Sequence, residues 1–134
     1  MKELTLEILL HWFANDGNIS LIRDGFGYEN VETKHCELAF NHTTKEWFVR
    51  YRGVKFSLSE IQLYARPISD LTKEEFKEKL KSLNYRTDEN GIQSIISDVK
   101  QGVAQYDLMK MLLKNHFNVF NLEPHLWVNI NDLK

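Results

Sequence analysis

Cysteine occurs once, proline twice and glycine six times in the 134 residues, and no apolar run is long enough to span a membrane. A single thiol, Cys36, cannot form an internal disulfide, and the small core of a disulfide-stapled secreted domain is not needed at this length. The stretch LEILLHWFA near the start is short, interrupted and preceded by Glu3, which makes it neither a membrane span nor an export signal. A cytoplasmic protein with no membrane association is therefore expected. The formal net charge of -2 is too small to imply a polyanionic partner or a nucleic-acid mimic, so any electrostatic function must come from a local patch.

Repeats, low-complexity blocks and phosphate-cradling glycine runs are missing as well, and no Gly-x-Ser-x-Gly occurs. The five histidines, His11, His35, His42, His116 and His125, form no pair at helical metal-ligand spacing; only Glu123 and His125 could share a face. No metal and no cofactor are expected. Cys36 shares its expected face with Leu38 and Phe40 and reads as a small hydrophobe rather than a nucleophile. The carboxylates of TKEEFKEK are explained by the solvated face of a helix, and the Asn41-His42-Thr43 sequon by a surface turn.

What is present is the patterning of one α+β domain over residues 1–134: an N-terminal helix and a small antiparallel sheet, a hairpin plus a three-stranded meander, packed against C-terminal helices. Leu6, Leu9, Leu10 and Phe13 stand at helical spacing, with Glu3 and Glu7 early and Gly17 at the stop. NISLIRDGFGYE has the form of a hairpin turning at Asp24-Gly25. CELAF, EWFVRY and VKFSL alternate as strands, which predicts Trp47, Val49, Tyr51, Val54, Phe56 and Leu58 facing inward and Phe48, Arg50, Arg52 and Lys55 facing out. Ser57 and Glu60 fit a capping box, so LSEIQLYAR is expected to be a short helix ending before Pro67.

Thr72 with Glu75, flanked by Leu71 and Phe76, predicts a helix bearing Phe76, Leu80 and Leu83 on one face. Asn90 and Gln93 suggest the cap of another, carrying Ile92, Ile95, Ile96 and Val99. Beyond Gly102 the apolar phase continues through Leu113, leaving open one long helix or two. HLWVNI alternates as a last strand. The segment 92–113 resembles the helix, glycine, helix opening of some helix-turn-helix modules, and the resemblance implies nucleic-acid binding. KNHFNVF departs from that pattern, offering neither a clear turn nor a basic recognition helix.

A complete fold without a catalytic signature favours a non-enzymatic protein that binds another protein as inhibitor, adaptor or regulator; Trp12, Trp47 and Trp127 are the large aromatics that could anchor an interface, although most of the aromatic content is expected in the core. Its size and asparagine content suit a phage or mobile-element accessory protein, such as an anti-defence inhibitor. The alternative is a nucleic-acid-binding regulator, using the basic strand face Arg50, Arg52 and Lys55. The candidate contact residues for either are Lys45, Phe48, Arg50, Arg52 and Lys55. An enzyme whose site is assembled from distant residues is a third class.

Overall fold

The computed structural model describes residues 4–132 and is α+β. It divides into two compact units, one running to Ala65 and resuming at Leu122, the other Arg66–Asn121.

The first unit opens with α1 (Leu6–Ala14), whose N-cap Thr5 accepts from the Ile8 amide. Glu3 lies outside the described residues. The buried stripe of α1 is Ile8, Leu9 and Trp12; Leu6 and Phe13 are half-buried and Leu10 is 49% exposed. The apolar residues thus extend around more of the helix than the core covers, and the stripe that packs is rotated from the Leu6, Leu10 side.

Strands β1 (Asn18–Arg23) and β2 (Phe26–Glu32) form the expected hairpin, with Arg23 opposite Phe26 across Asp24-Gly25. The meander is β3 (Glu37–Asn41), β4 (Glu46–Tyr51) and β5 (Val54–Ser57), and it forms a sheet of its own. The hairpin belongs to a second, four-stranded sheet completed by β6 (Ile61–Ala65) and β7 (Trp127–Asn129), in the order β2-β1-β6-β7. β6 runs antiparallel to β1 and parallel to β7.

The helix expected over LSEIQLYAR is therefore a strand. Both capping-box bonds between Ser57 and Glu60 are present, yet they close only the 3-10 turn Leu58–Glu60. From Ile61 the chain lies between two strands, and Ile61, Leu63, Tyr64 and Ala65 are buried. A central strand covered on both faces loses the alternation that marks a half-buried one, so its apolar run is ambiguous by periodicity alone.

In the second unit Pro67 precedes the 3-10 turn Ile68–Thr72, followed by α2 (Glu74–Ser82), α3 (Glu89–Gln101) and α4 (Tyr106–Lys114). Leu71, Phe76, Leu80, Ile92, Ile95, Val99, Leu108, Leu112 and Phe117 make one core. Two caps differ from expectation. Thr72 donates its hydroxyl to the Ser69 carbonyl at 2.9 Å, inside the preceding turn, and Lys73 takes the α2 cap position. α3 is capped by Asp88, which accepts from the Gly91 amide at 3.0 Å, not by Asn90. Gly102 adopts φ +73 and its amide bonds the Asp98 and Val99 carbonyls, so the chain ends α3 there and forms two helices rather than one.

Candidate macromolecule interface

The five residues singled out in the sequence lie on or beside β4. β4 is the middle strand of its sheet, with Glu37, Leu38, Ala39, Phe40 and Asn41 opposite Arg50, Val49, Phe48, Trp47 and Glu46. On its other side Ser57, Phe56, Lys55 and Val54 stand opposite Phe48, Val49, Arg50 and Tyr51. Strand alternation therefore puts Phe48, Arg50, Lys55 and Glu37 on one face.

Arg50 and Lys55 are like charges placed directly across from each other, an arrangement that is unfavourable unless compensated. Two contacts compensate it. The Glu37 carboxylate lies 3.7 Å from Arg50 Nη1, and the Phe48 ring lies under both cations, 5.6 Å from the Arg50 guanidinium carbon and 5.1 Å from Lys55 Nζ. Lys45 belongs to the turn before β4, where it is exposed with φ +61; Asn41 organises that turn by accepting from the Thr43 and Thr44 amides.

Arg52 does not join them. It and Gly53 form a two-residue hairpin turn with φ +51 and +78, the left-handed pair that a tight turn of this hand requires. A turn residue leaves the alternation of its strand, and the Arg52 guanidinium instead lies 5.3 Å from the Tyr51 ring and 5.8 Å from Tyr28, on the opposite side. There it helps line an open cleft of about 520 Å³ with Tyr28, Glu29, Glu32 and His35.

On the inward face Val49 and Phe56 are fully buried and Tyr51, Val54 and Leu58 half-buried, but Trp47 is 37% exposed. The register supplies the reason. Ser57, opposite Phe48, ends β5, so no β5 residue stands opposite Trp47, and the indole rests against Phe40 at 5.3 Å. A recess of about 400 Å³ beside it is lined by Glu46, Ser57, Leu58 and Ser59.

Sequence patterning gives no hint of the role of Arg23. Its Nε donates to Glu60 Oε2 at 2.8 Å and its Nη2 to Glu60 Oε1 at 3.2 Å and to the Lys55 carbonyl, while the guanidinium stacks 5.1 Å from Phe56 and 5.7 Å from Phe26. This clamp ties β1 to the end of β5. Nothing in the local pattern near Arg23 points to a partner 37 residues away. The Arg23 hydrogen bonds, opposed by partial desolvation and aided by the Ser57 amide, hold the Glu60 carboxyl below its ordinary range. A lowered folded-state value means that Glu60 stabilises the fold above its unfolded pKa, about 4.3, and loses that contribution as the pH falls further. Glu60→Gln is accordingly expected to melt below wild type at neutral pH and to converge with it in acid. Melting curves across that range check this; a gap that stays constant would exclude the ion pair as its origin.

Cys36 precedes β3 rather than lying in it, is half-buried, and has its thiol pushed up to about 11 by desolvation. That favours the thiol over the reactive thiolate at neutral pH. His125 Nδ1 sits 3.6 Å from Glu123 Oε2, and among the described residues no cluster of metal-ligating side chains forms. No described helix is long and apolar enough to cross a membrane. No protein-family model, curated protein or solved structure matches the chain.

Proposed function

We propose that the protein acts by binding another protein through the β4 surface, as an inhibitor, adaptor or regulator of the accessory type anticipated from its composition. The observation that carries this reading is the outer face of the meander, where Phe48 of β4 lies under two cations, Arg50 of β4 and Lys55 of β5. Aromatic residues and arginine are enriched in protein interfaces, where a broad ring contributes area at little entropic cost. The same geometry weakens the nucleic-acid alternative. Arg50 already has a carboxylate at 3.7 Å, and Arg52 sits on the other side of the sheet, leaving a small cationic patch for phosphates.

The test is recovery of a partner with the tagged full chain from its native cells. Phe48→Ala combined with Arg50→Ala is expected to lose the partner, with the fold retained by circular dichroism, while Arg52→Ala keeps it. In parallel, mobility-shift assays with oligonucleotides at two salt concentrations are expected to show no tight complex. A salt-sensitive complex whose slope against log salt falls by about 2 units in Arg50→Ala/Lys55→Ala would replace the protein-contact reading with the nucleic-acid one.

A further inference from the structure

The second unit carries a charge pattern that the β4 surface does not involve. On and beside α2, Lys73, Lys77 and Lys81 are each neutralised by a carboxylate one turn earlier: Asp70 at 3.4 Å, Glu74 at 3.6 Å and Glu78 at 3.6 Å. Lys79 points elsewhere. With Lys110 and Lys114, which are one helical turn apart on α4, it lines a groove of about 330 Å³ between the two helices. Among the described residues, none of these three lysines forms an ion pair, and all three are exposed. The floor of the groove includes the half-buried Leu83 and Met111, with Ser82 and Asn115 at its sides and Asp107 at the α4 N-terminal end.

We propose that this groove binds an acidic amphipathic helix of a partner protein. Charge complementarity selects the sign, since three uncompensated ammonium groups face one carboxylate. The apolar floor selects the form. Both walls are helices with no strand edge to extend, so a visiting segment is recognised by side chains, and a helix can put apolar residues on Leu83 and Met111 while its acidic residues meet the lysines. Methionine adapts its shape to such a guest, and the lysine stems add apolar cover. Nucleic acid fits less well. A phosphate backbone has no apolar side chains to cover Leu83 and Met111, whereas an amphipathic helix has. Asp107 sets a direction, because acidic residues of the guest belong toward Lys114 and away from the α4 N-terminus.

The probe is a labelled helical peptide of about sixteen residues with leucines at i, i+3, i+4 and i+7 and glutamates clustered toward one end, titrated against the full chain by fluorescence anisotropy. Lys110→Glu/Lys114→Glu is expected to weaken binding at least about tenfold, and Lys34→Glu/Lys100→Glu, the same charge change elsewhere, less than about twofold. Replacing the glutamates by glutamine or scrambling the leucines is expected to weaken binding comparably, and the methyl resonance of Met111 is expected to shift on titration. Arg50→Ala/Lys55→Ala should bind the peptide like wild type, so failure here and failure at β4 are read separately. The proposal is overturned by no saturable binding, by equal loss in both glutamate variants, by a glutamine peptide that binds as well, or by duplex DNA that displaces the peptide at equal concentration.

Discussion

Replacing Phe76 by alanine is expected to destabilise the protein by about 3–5 kcal/mol, the range for removing a fully buried phenylalanine and leaving part of the space unfilled. Phe76 is 2% exposed in the helical unit. Its ring meets Phe117 edge to face at 4.8 Å, and the Arg66 guanidinium covers it at 5.0 Å. Truncation removes apolar burial, an aromatic pair and a cation-π contact together. Lys77→Ala, one position on, removes only a surface ion pair at 3.6 Å to an exposed Glu74 and is expected to change stability by less than about 0.5 kcal/mol. Urea unfolding followed at the helical circular-dichroism band compares the two. Equal midpoints would mean that the α2 face is misassigned.

The corresponding prediction for the first unit is Trp12→Ala, also expected to cost about 3–5 kcal/mol. Trp12 is 1% exposed, and its indole Nε1 donates to the Tyr64 carbonyl at 3.2 Å, which joins α1 to the buried strand β6. Trp12→Phe keeps most of the volume but strands that carbonyl without its donor, and is expected to cost less than the alanine change. Unfolding monitored by fluorescence of the remaining tryptophans measures both. A Trp12→Ala protein as stable as wild type would show that α1 does not seal this core.

These two side chains also mark how far the fold is legible in the sequence. Phe76 stands out because Leu80 and Leu83 succeed it at helical spacing, and it is buried in the helix that pattern predicts. Trp12 does not stand out as a packing residue, because α1 is apolar nearly all round and the sequence offers no means of choosing which stripe faces inward. The meander is legible from alternation and its Arg52-Gly53 turn, and Phe48, Arg50 and Lys55 do share one face. Arg52 departs from its expected face because alternation stops at the turn, and Trp47 keeps its face but loses its cover, because the length of β5, set by the 3-10 turn after it, is not written in β4. The largest departure is β6. The capping box at Ser57 and Glu60 is real, but a local signal of this kind starts a turn and has no hold on the residues beyond it. Pairing of Ile61–Ala65 with strands far away in sequence makes that segment extended.

The parallel pairing of β6 with β7 carries a consequence for how the chain is assembled. The neighbours Leu63 and Trp127 belong to one sheet, yet the whole of Arg66–Asn121 is translated between them. The helical unit is thus an insertion, and its two chain ends are fastened to each other where Arg66 and Phe117 form a parallel bridge, with the Arg66 amide on the His116 carbonyl and the Asn118 amide on the Arg66 carbonyl, both at 2.8 Å. On the ribosome, β1, β2 and β6 can associate early, but one edge of β6 stays open until the insertion has emerged and Trp127–Asn129 comes after it. During that interval the nascent sheet presents unpaired backbone groups to whatever else is nearby. Folding of the insertion, by drawing residue 117 back to residue 66, shortens the loop that β7 must close from tens of residues to about ten.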